Sequence, residues 1–192
     1  MKKILLGVVL VAVLLVAAFY AFNAYIYNEK QAPAVADYKD AEYSIDGMPV
    51  QLKDGFAEVE AAPGSASKIT TRYFGNDAEI DLNDDGRKDV VFLLTQETGG
   101  SGVFYYVVAA LNTDRGFVGS DGYLLGDRIA PQTTEKSSNP RHKDVIVVNY
   151  ADRALGEAMT AQPSVGKSAY LKLDIETMMW GIVEPNFEGE TR

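Results

Sequence analysis

Apolar and uncharged residues dominate the start of the chain. After a short basic beginning, residues 4–22 form nineteen consecutive positions without a charge, and the apolar character extends to Tyr27. That length spans a bilayer as a helix. A secretory signal peptide has a shorter apolar core that ends at a small-x-small site, and the nearest such sites, at 32–34 and 34–36, lie well past the run. The pattern favours an uncleaved transmembrane signal-anchor over residues 1–27, with a cleaved signal peptide as the alternative.

The residues that flank this segment indicate its orientation. Lys2 and Lys3 mark the cytoplasmic end, since basic residues are retained on the inner side of a membrane. Aromatic residues gather at the other end, where amphipathic rings favour the headgroup region: Phe19, Tyr20, Phe22, Tyr25 and Tyr27. We therefore expect a single-pass protein of the cell membrane with a cytoplasmic N-terminus and a periplasmic or extracellular C-terminal domain. A pilin is a poorer match, because residues 8–12 lack the glutamate that pilin assembly uses.

Beyond this segment the pattern changes to short alternating or apolar runs separated by turn residues, which is typical of β-strands. Residues 28–37 are polar and contain a proline, so they predict a tether, and a single folded domain is expected over residues 38–192. Asp-Gly pairs at 46–47 and 54–55 predict a meander of strands joined by tight turns. The runs that predict strands are 42–45, 49–52, 56–60, 68–74, 90–94, 103–111, 122–125, 145–150, 169–173 and 178–183.

The predicted fold is mainly β, an antiparallel sandwich or barrel-like meander preceded by one N-terminal transmembrane helix. The strongly apolar runs 90–94 and 103–111 are expected to pair as central strands. A short helix at 133–138 or 175–179 is kept as an alternative for those segments. The loop 152–168 is long enough to be irregular or functional.

Charge and composition exclude several classes of function. The chain has 18 basic and 27 acidic residues, a net charge of −9; without Lys2 and Lys3 the balance is 16 against 27, or −11. Such an acidic surface repels nucleic acid. The absence of cysteine from the sequence excludes disulfides, thiolate metal sites and lipidation at a cysteine. The single histidine, His142, lies in the polar segment 137–143, where we expect an exposed loop side chain and no catalytic relay.

One segment carries specific chemistry, the stretch 81–89 with its alternating oxygen-bearing side chains. Calcium takes six to eight oxygen ligands, and alternate positions of a tight loop can turn inward to supply them. Gly86 permits the sharp turn. Because an EF-hand needs an acidic residue at its twelfth position and Phe92 stands there, this loop is not an EF-hand. The candidate ligands are the side chains of Asp81, Asn83, Asp85 and Asp89, with the backbone carbonyl of Arg87.

The segment resembles the Asp-x-Asn-x-Asp-Gly-x-x-Asp loops of FG-GAP-type integrin-like repeats and of dockerins. Dockerin loops run into a helix, whereas residues 89–94 predict a strand, so the FG-GAP type is the better match. The resemblance implies that Asp81, Asn83, Asp85 and Asp89 are side-chain ligands and that Asp84 faces solvent. It covers about fifteen residues in a single copy, so it implies the loop and not the propeller fold.

A polar hairpin turn is the alternative interpretation of the same residues, since Asn, Asp and Gly are also turn residues. Three aspartates would then repel one another without a compensating ion, which favours calcium. Extracellular modules bind calcium at about 10⁻⁴–10⁻³ M, a level that a domain outside the cell meets. We expect this ion to be structural.

The wider stretch 72–106 is similar to bacterial membrane-anchored envelope proteins, a resemblance that implies a location and no reaction. The leading hypothesis is a membrane-tethered, calcium-binding module with a structural or binding role in the envelope, where its partner is a protein or a glycan. An envelope hydrolase that cleaves glycans or peptides through paired carboxylates is the main alternative. An accessory subunit of a secretion or assembly complex is a third.

Overall fold

The structure is a computed structural model that describes residues 16–19 and 35–184. The chain divides into two compact units, Met1–Ala34 and Val35–Arg192. Residues 16–19 are helical, and the rest of the predicted anchor lies outside the described residues. Within the described residues, no helix has the length and apolar character needed to cross a bilayer. The predicted tether also lies mostly outside them, but Val35, near its end, already pairs with Gly116 of the folded unit.

The described part of the second unit consists of one short 3₁₀ helix and twelve strands. The helix covers Tyr38–Asp40. The strands are β1 (Glu42–Ile45), β2 (Met48–Gln51), β3 (Phe56–Glu60), β4 (Lys68–Ile80), β5 (Asp89–Glu97), β6 (Phe104–Thr113), β7 (Gly116–Gly119), β8 (Tyr123–Asp127), β9 (Ala130–Lys136), β10 (Val145–Asp152), β11 (Val165–Asp174) and β12 (Met179–Ile182).

These strands form three sheets whose strand pairings are all antiparallel. β1 and β2 form a hairpin, and β12-β11-β10-β9 form a four-stranded sheet. The largest sheet has the order β3-β4-β5-β6-β7, with β8 also paired to β6. The prediction of a mainly β, antiparallel domain is therefore confirmed.

The two central strands are buried on both faces, which explains their continuous apolar sequence. In β5, Val90, Phe92 and Leu94 face the core shared with the β1–β2 hairpin. The alternate residues, Val91 and Leu93, face the core shared with β10 and β11. Successive strand side chains point to opposite faces, so one strand supplies both cores. Complete burial of each such side chain contributes about 1.5–3 kcal/mol.

The two Asp-Gly turns have different outcomes. Asp46 and Gly47 have φ of 52° and 76°, which suits the tight turn between β1 and β2. Asp54 and Gly55 have φ of 51° and 75°, but β3 leaves the hairpin and pairs with β4 in the large sheet. A Cβ at Gly55 would lie 2.8 Å from the Cβ of Tyr73, so this turn is packed against β4 and needs glycine.

Several predicted boundaries are corrected. β4 extends to Ile80 because two irregularities between Tyr73 and Ala78 let it bend and continue alongside β5. Residues 133–136 belong to β9 and residues 175–178 form a turn, so both helix alternatives are wrong. β7 and β9 were not predicted, since their sequences lack the apolar alternation of a covered strand.

Candidate metal centre

The candidate calcium loop, residues 81–88, joins β4 to β5 in the middle of the large sheet. Ile80 and Asp89 pair across its base, so the loop closes a hairpin. The chain reverses through left-handed backbone at Asp84, with φ of 59°, and at Gly86, with φ of 83°. Aspartate and glycine are among the residues that tolerate this conformation, which accounts for the local sequence.

Side-chain oxygens of the loop turn inward and accept from its own backbone. Oδ1 of Asp81 accepts from the amide of Asp85 at 3.2 Å, and Oδ2 accepts from the amide of Gly86 at 2.9 Å. Oδ1 of Asn83 accepts from the amide of Asp85 at 3.2 Å. Oδ1 of Asp85 accepts from the amide of Arg87 at 2.8 Å. These bonds gather the first three predicted ligand side chains around one turn of backbone.

Asp89 is the one buried acidic residue in the described part of the chain, with 0% of its surface exposed. Its Oδ2 accepts from the amide of Leu82 and its Oδ1 from the amide of Asn112, both at 2.8 Å. Burial raises the pKa of Asp89, the two amides lower it, and the nearby charges of Asp85 and Asp81 raise it further; the net shift is upward. The fourth predicted ligand side chain is therefore within the electrostatic influence of the loop, at a point where its charge is poorly solvated.

Arg87 contributes a contact that the sequence did not predict. Its Nη2 donates to Oδ2 of Asp85, its Nη1 to Oδ1 of Asp114 and its Nε to the carbonyl of Asn112, each at 2.6 Å. Sequence spacing assigned a role only to the carbonyl of Arg87. The guanidinium group is thus a cation of the protein itself, placed on one of the predicted ligands.

The donor set is chemically suited to calcium. Asp81, Asn83, Asp85 and Asp89 offer hard oxygen atoms, and a carboxylate oxygen that accepts one amide keeps a second lone pair. Among residues 16–19 and 35–184, however, no three His, Cys, Asp or Glu side chains are arranged so that they would hold a metal ion. The calcium site accordingly stays a prediction.

Asp84 faces solvent, at the edge of a groove of about 610 Å³. Its Oδ2 accepts from Nζ of Lys143 at 2.5 Å, and this hydrogen bond holds the pKa of Asp84 below its ordinary value. The loop forms one wall of the groove; the other walls come from the turn before β10 and the end of β11. The ion pair therefore connects the candidate loop to the smaller of the two large sheets.

Two further acidic side chains of the groove, Asp144 and Asp174, have partners of their own. Asp144 is paired with Lys136 at 3.3 Å and with Lys143 at 3.9 Å. Oδ1 of Asp174 accepts from the amides of Glu176 and Thr177. The alternative of a hydrolase with paired carboxylates stays a prediction.

The expectation of an exposed His142 is wrong. Only 7% of its surface is exposed, and its ring meets that of Tyr170 edge-on with centroids 5.8 Å apart. Nδ1 lies 3.1 Å from Oγ of Ser137. The polar loop folds back so that its one aromatic ring packs on β11, a tertiary contact that local composition does not reveal.

Comparisons with known proteins return no match to this chain, whether with family models, curated proteins or solved structures. The function therefore has to follow from the chain's own geometry. Within the described residues, the group of side chains that most suggests a binding site is the carboxylate-rich loop between β4 and β5.

Proposed function

We propose that this protein is a membrane-anchored, extracytoplasmic calcium-binding domain with a structural or binding role in the cell envelope. The observation that carries the proposal is the β4–β5 loop, where side-chain oxygens of Asp81, Asn83 and Asp85 gather on one turn of backbone and Asp89 is fully buried at the base of the loop. A divalent cation bound among these groups would stabilise their ionised forms together. The partner of such a module is an envelope protein or a glycan.

The ion would brace the base of the β4–β5 hairpin. Asp89 opens β5, the strand that supplies side chains to both hydrophobic cores. A cation shared by Asp81, Asp85 and Asp89 would fix the end of β4 relative to β5. This is a structural role, in which calcium binds the folded state preferentially and raises its stability by mass action.

The arrangement of the sheets as the layers of a sandwich is also part of this proposal. We class the domain as a sandwich, because the four-stranded sheet covers one face of the six-stranded sheet. Both sheets are open, and the strands at their edges pair on one side only. The β1–β2 hairpin covers the opposite face. A module of this kind presents loops and edges for binding and leaves its interior filled.

Calcium binding is tested by the melting temperature of the full chain in detergent. We expect added calcium at millimolar level to raise it relative to EDTA, and Asp85→Ala to abolish that gain. Asp84→Asn is the matched control, since it removes a charge from the same loop at a position that tolerates asparagine and supplies no ligand. Equal melting temperatures with calcium and EDTA in the wild-type protein would contradict the proposal.

The anchor is tested separately. We expect the full chain to stay in the membrane fraction after alkaline carbonate washing and a variant lacking residues 4–22 to leave it. Because the sequence has no cysteine, single substitutions report topology cleanly. A membrane-impermeant maleimide should label Ser101→Cys in intact cells and leave Lys3→Cys unlabelled; the reverse pattern would overturn the orientation.

A further inference from the structure

We propose that two copies of this chain associate through one end of the folded unit, with Leu155 at the centre of the contact. This end, called the neutral end below, consists of the loops 61–67, 98–103 and 154–164. The inference goes beyond the proposed function, because it names a second copy as a partner and requires neither calcium nor the membrane anchor.

The three loops of the neutral end lie together. A Cβ at Gly99 would lie 3.6 Å from the Cβ of Ser67, so the first two loops touch. The carbonyl of Val103, at the end of the second loop, accepts from the amide of Arg128 at 2.7 Å. The carbonyl of Arg128 in turn accepts at 2.9 Å from Nη1 of Arg153, at the base of the third loop. One continuous surface therefore includes all three loops.

This surface lies at the far end of β6 from the point where the chain enters the folded unit. β6 begins directly after the second loop and has ten residues, a length of about 30 Å. Beyond its other end, Val35 pairs with Gly116 and accepts at 2.8 Å from the amide of Phe117. The segment that precedes Val35 therefore does not start at the neutral end.

The neutral end differs in charge from the rest of this acidic chain. Its loops hold 24 residues, of which Glu157 is the only charged one, whereas five of the eight residues 81–88 are charged. A symmetric contact brings each residue of an interface towards its own counterpart, so like charges there repel. A different partner can supply the opposite charge, but a second copy cannot. An uncharged surface is therefore the one that self-association requires.

The third loop displays apolar side chains on an ordered turn. Leu155 is wholly exposed at its tip, and 43% of the surface of Met159 is exposed. The amide of Glu157 donates to the carbonyl of Ala154 at 3.1 Å, and the guanidinium of Arg153 fixes the base of the loop. A preorganised turn loses less conformational freedom when it binds. Exposed apolar groups without charges match the core of a protein interface.

The extent of the neutral end also fits a stable contact. A standard interface takes about 20–30 residues from each partner, and the three loops supply 24. Leu155 and Met159 form the core of the contact. The loops 61–67 and 98–103 form its rim, which stays accessible to solvent.

Cysteine cross-linking of the full chain in mild detergent tests the contact, since the sequence has no cysteine of its own. Ala158→Cys places a thiol beside Met159, and Arg115→Cys places one in an exposed turn at the other end of β6. We expect mild oxidation to link two differently tagged Ala158→Cys chains about tenfold faster than Arg115→Cys chains, because the contact raises the effective concentration of the thiols. The Arg115→Cys rate measures chance encounters within a micelle.

A charge at the centre of the contact should abolish it. In the Ala158→Cys background, Leu155→Asp should lower cross-linking to the Arg115→Cys rate. Sedimentation velocity should show a dimer dissociation constant about tenfold or more above that of the wild type, as expected for a central interface side chain. Val118→Asp is the matched control, since it places the same charge at an exposed apolar position of β7 and should leave association unchanged. Circular dichroism and melting verify that each variant is folded.

All these measurements are made in EDTA, so their outcome is independent of the proposed calcium binding. If Ala158→Cys links no faster than Arg115→Cys, the neutral end is not an interface between copies and the inference is wrong. If a folded Leu155→Asp variant associates as the wild type does, self-association lies elsewhere in the chain and the inference is equally wrong.

Discussion

Two long loops of this domain are held by side chains of opposite charge that form hydrogen bonds with backbone groups. In the loop 81–88, carboxylate oxygens accept from backbone amides. In the loop 153–164, the guanidinium of Arg153 donates to the carbonyls of Ala161, Asp127 and Arg128. Backbone polar groups need partners in both cases. The first solution gathers the carboxylates of Asp81 and Asp85 with one guanidinium, that of Arg87, whereas the second centres on a guanidinium.

The largest effect is expected at Asp89. Asp89→Ala removes the acceptor for the amides of Leu82 and Asn112, and each unsatisfied buried amide costs about 1–3 kcal/mol, so the loss of unfolding free energy is about 2–6 kcal/mol. Denaturant titration in EDTA measures it. Asp89→Asn keeps one acceptor and should lose less. A variant as stable as the wild type would show that the carboxylate is dispensable to the apo fold.

A smaller effect is expected in the second loop. Arg153→Met keeps much of the aliphatic stem and removes the donors to three carbonyls, which water can partly replace at the surface, so we expect a loss of about 1–3 kcal/mol. Limited proteolysis should cut residues 153–164 faster than in the wild type. Calcium should leave that rate unchanged, in contrast to its protection of residues 81–88; protection of both loops would remove the distinction.

The dependence of stability on pH should have opposite signs in the two regions. Burial raises the pKa of Asp89 above its ordinary value of 3.8. The folded state then binds the Asp89 proton more tightly than the unfolded chain does. The stabilisation that results is present below pH 3.8 and is lost as pH rises through the raised pKa. The hydrogen bond from Lys167 lowers the pKa of Asp152, whose contribution is present above 3.8 and is lost as pH falls through the lowered pKa.

Stability curves of Asp89→Asn and Asp152→Asn in EDTA measure these two contributions as differences from the wild type. As the pH falls from 7 towards 4, the unfolding free energy of the wild type should rise relative to that of Asp89→Asn. The excess of the wild type over Asp152→Asn should disappear below about pH 3.8. Calcium should reverse the first trend, because it binds the ionised carboxylate. Parallel trends for both variants would contradict the opposite shifts.

The smallest effect is expected at the ion pair across the groove. Lys143→Gln removes the partner of Asp84, but both side chains are largely exposed, at 70% and 60%. Exposed pairs are strongly screened, so the melting temperature should stay close to that of the wild type and approach it further at high salt. A large fall would mean that the pair fixes the candidate loop.

The sequence predicted strands best where both faces are covered. The runs 90–94 and 103–111 coincide with β5 and β6, because burial on both sides demands an unbroken apolar sequence. β9, with the sequence APQTTEK, is an edge strand with polar side chains, and its pairing with β10 is imposed by tertiary contacts. The local pattern also gave a wrong prediction at Asp54-Gly55, where β3 leaves the hairpin and pairs with β4. Which strand pairs with β3 depends on residues that are distant in the sequence.

The candidate site divides in the same way. The spacing of Asp81, Asn83, Asp85 and Asp89 is local, so the linear order of residues displays it directly. The partners supplied by Asn112 and Asp114 come from more than twenty residues away and are set by the register of β5, β6 and β7. No spacing rule encodes such contacts, and the role of the Arg87 side chain was missed for that reason.

The double-sided burial of β5 and β6 also has a consequence for assembly during synthesis. The β1–β2 hairpin is made first, yet the surface that covers Tyr43 and Ile45 is built by later segments that extend to Gly122. The apolar face of the hairpin stays uncovered until about seventy further residues have been made, because chains emerge N-terminus first. The β5–β6 pair, joined by the short connection 98–103, closes locally and supplies the template on which the waiting hairpin docks.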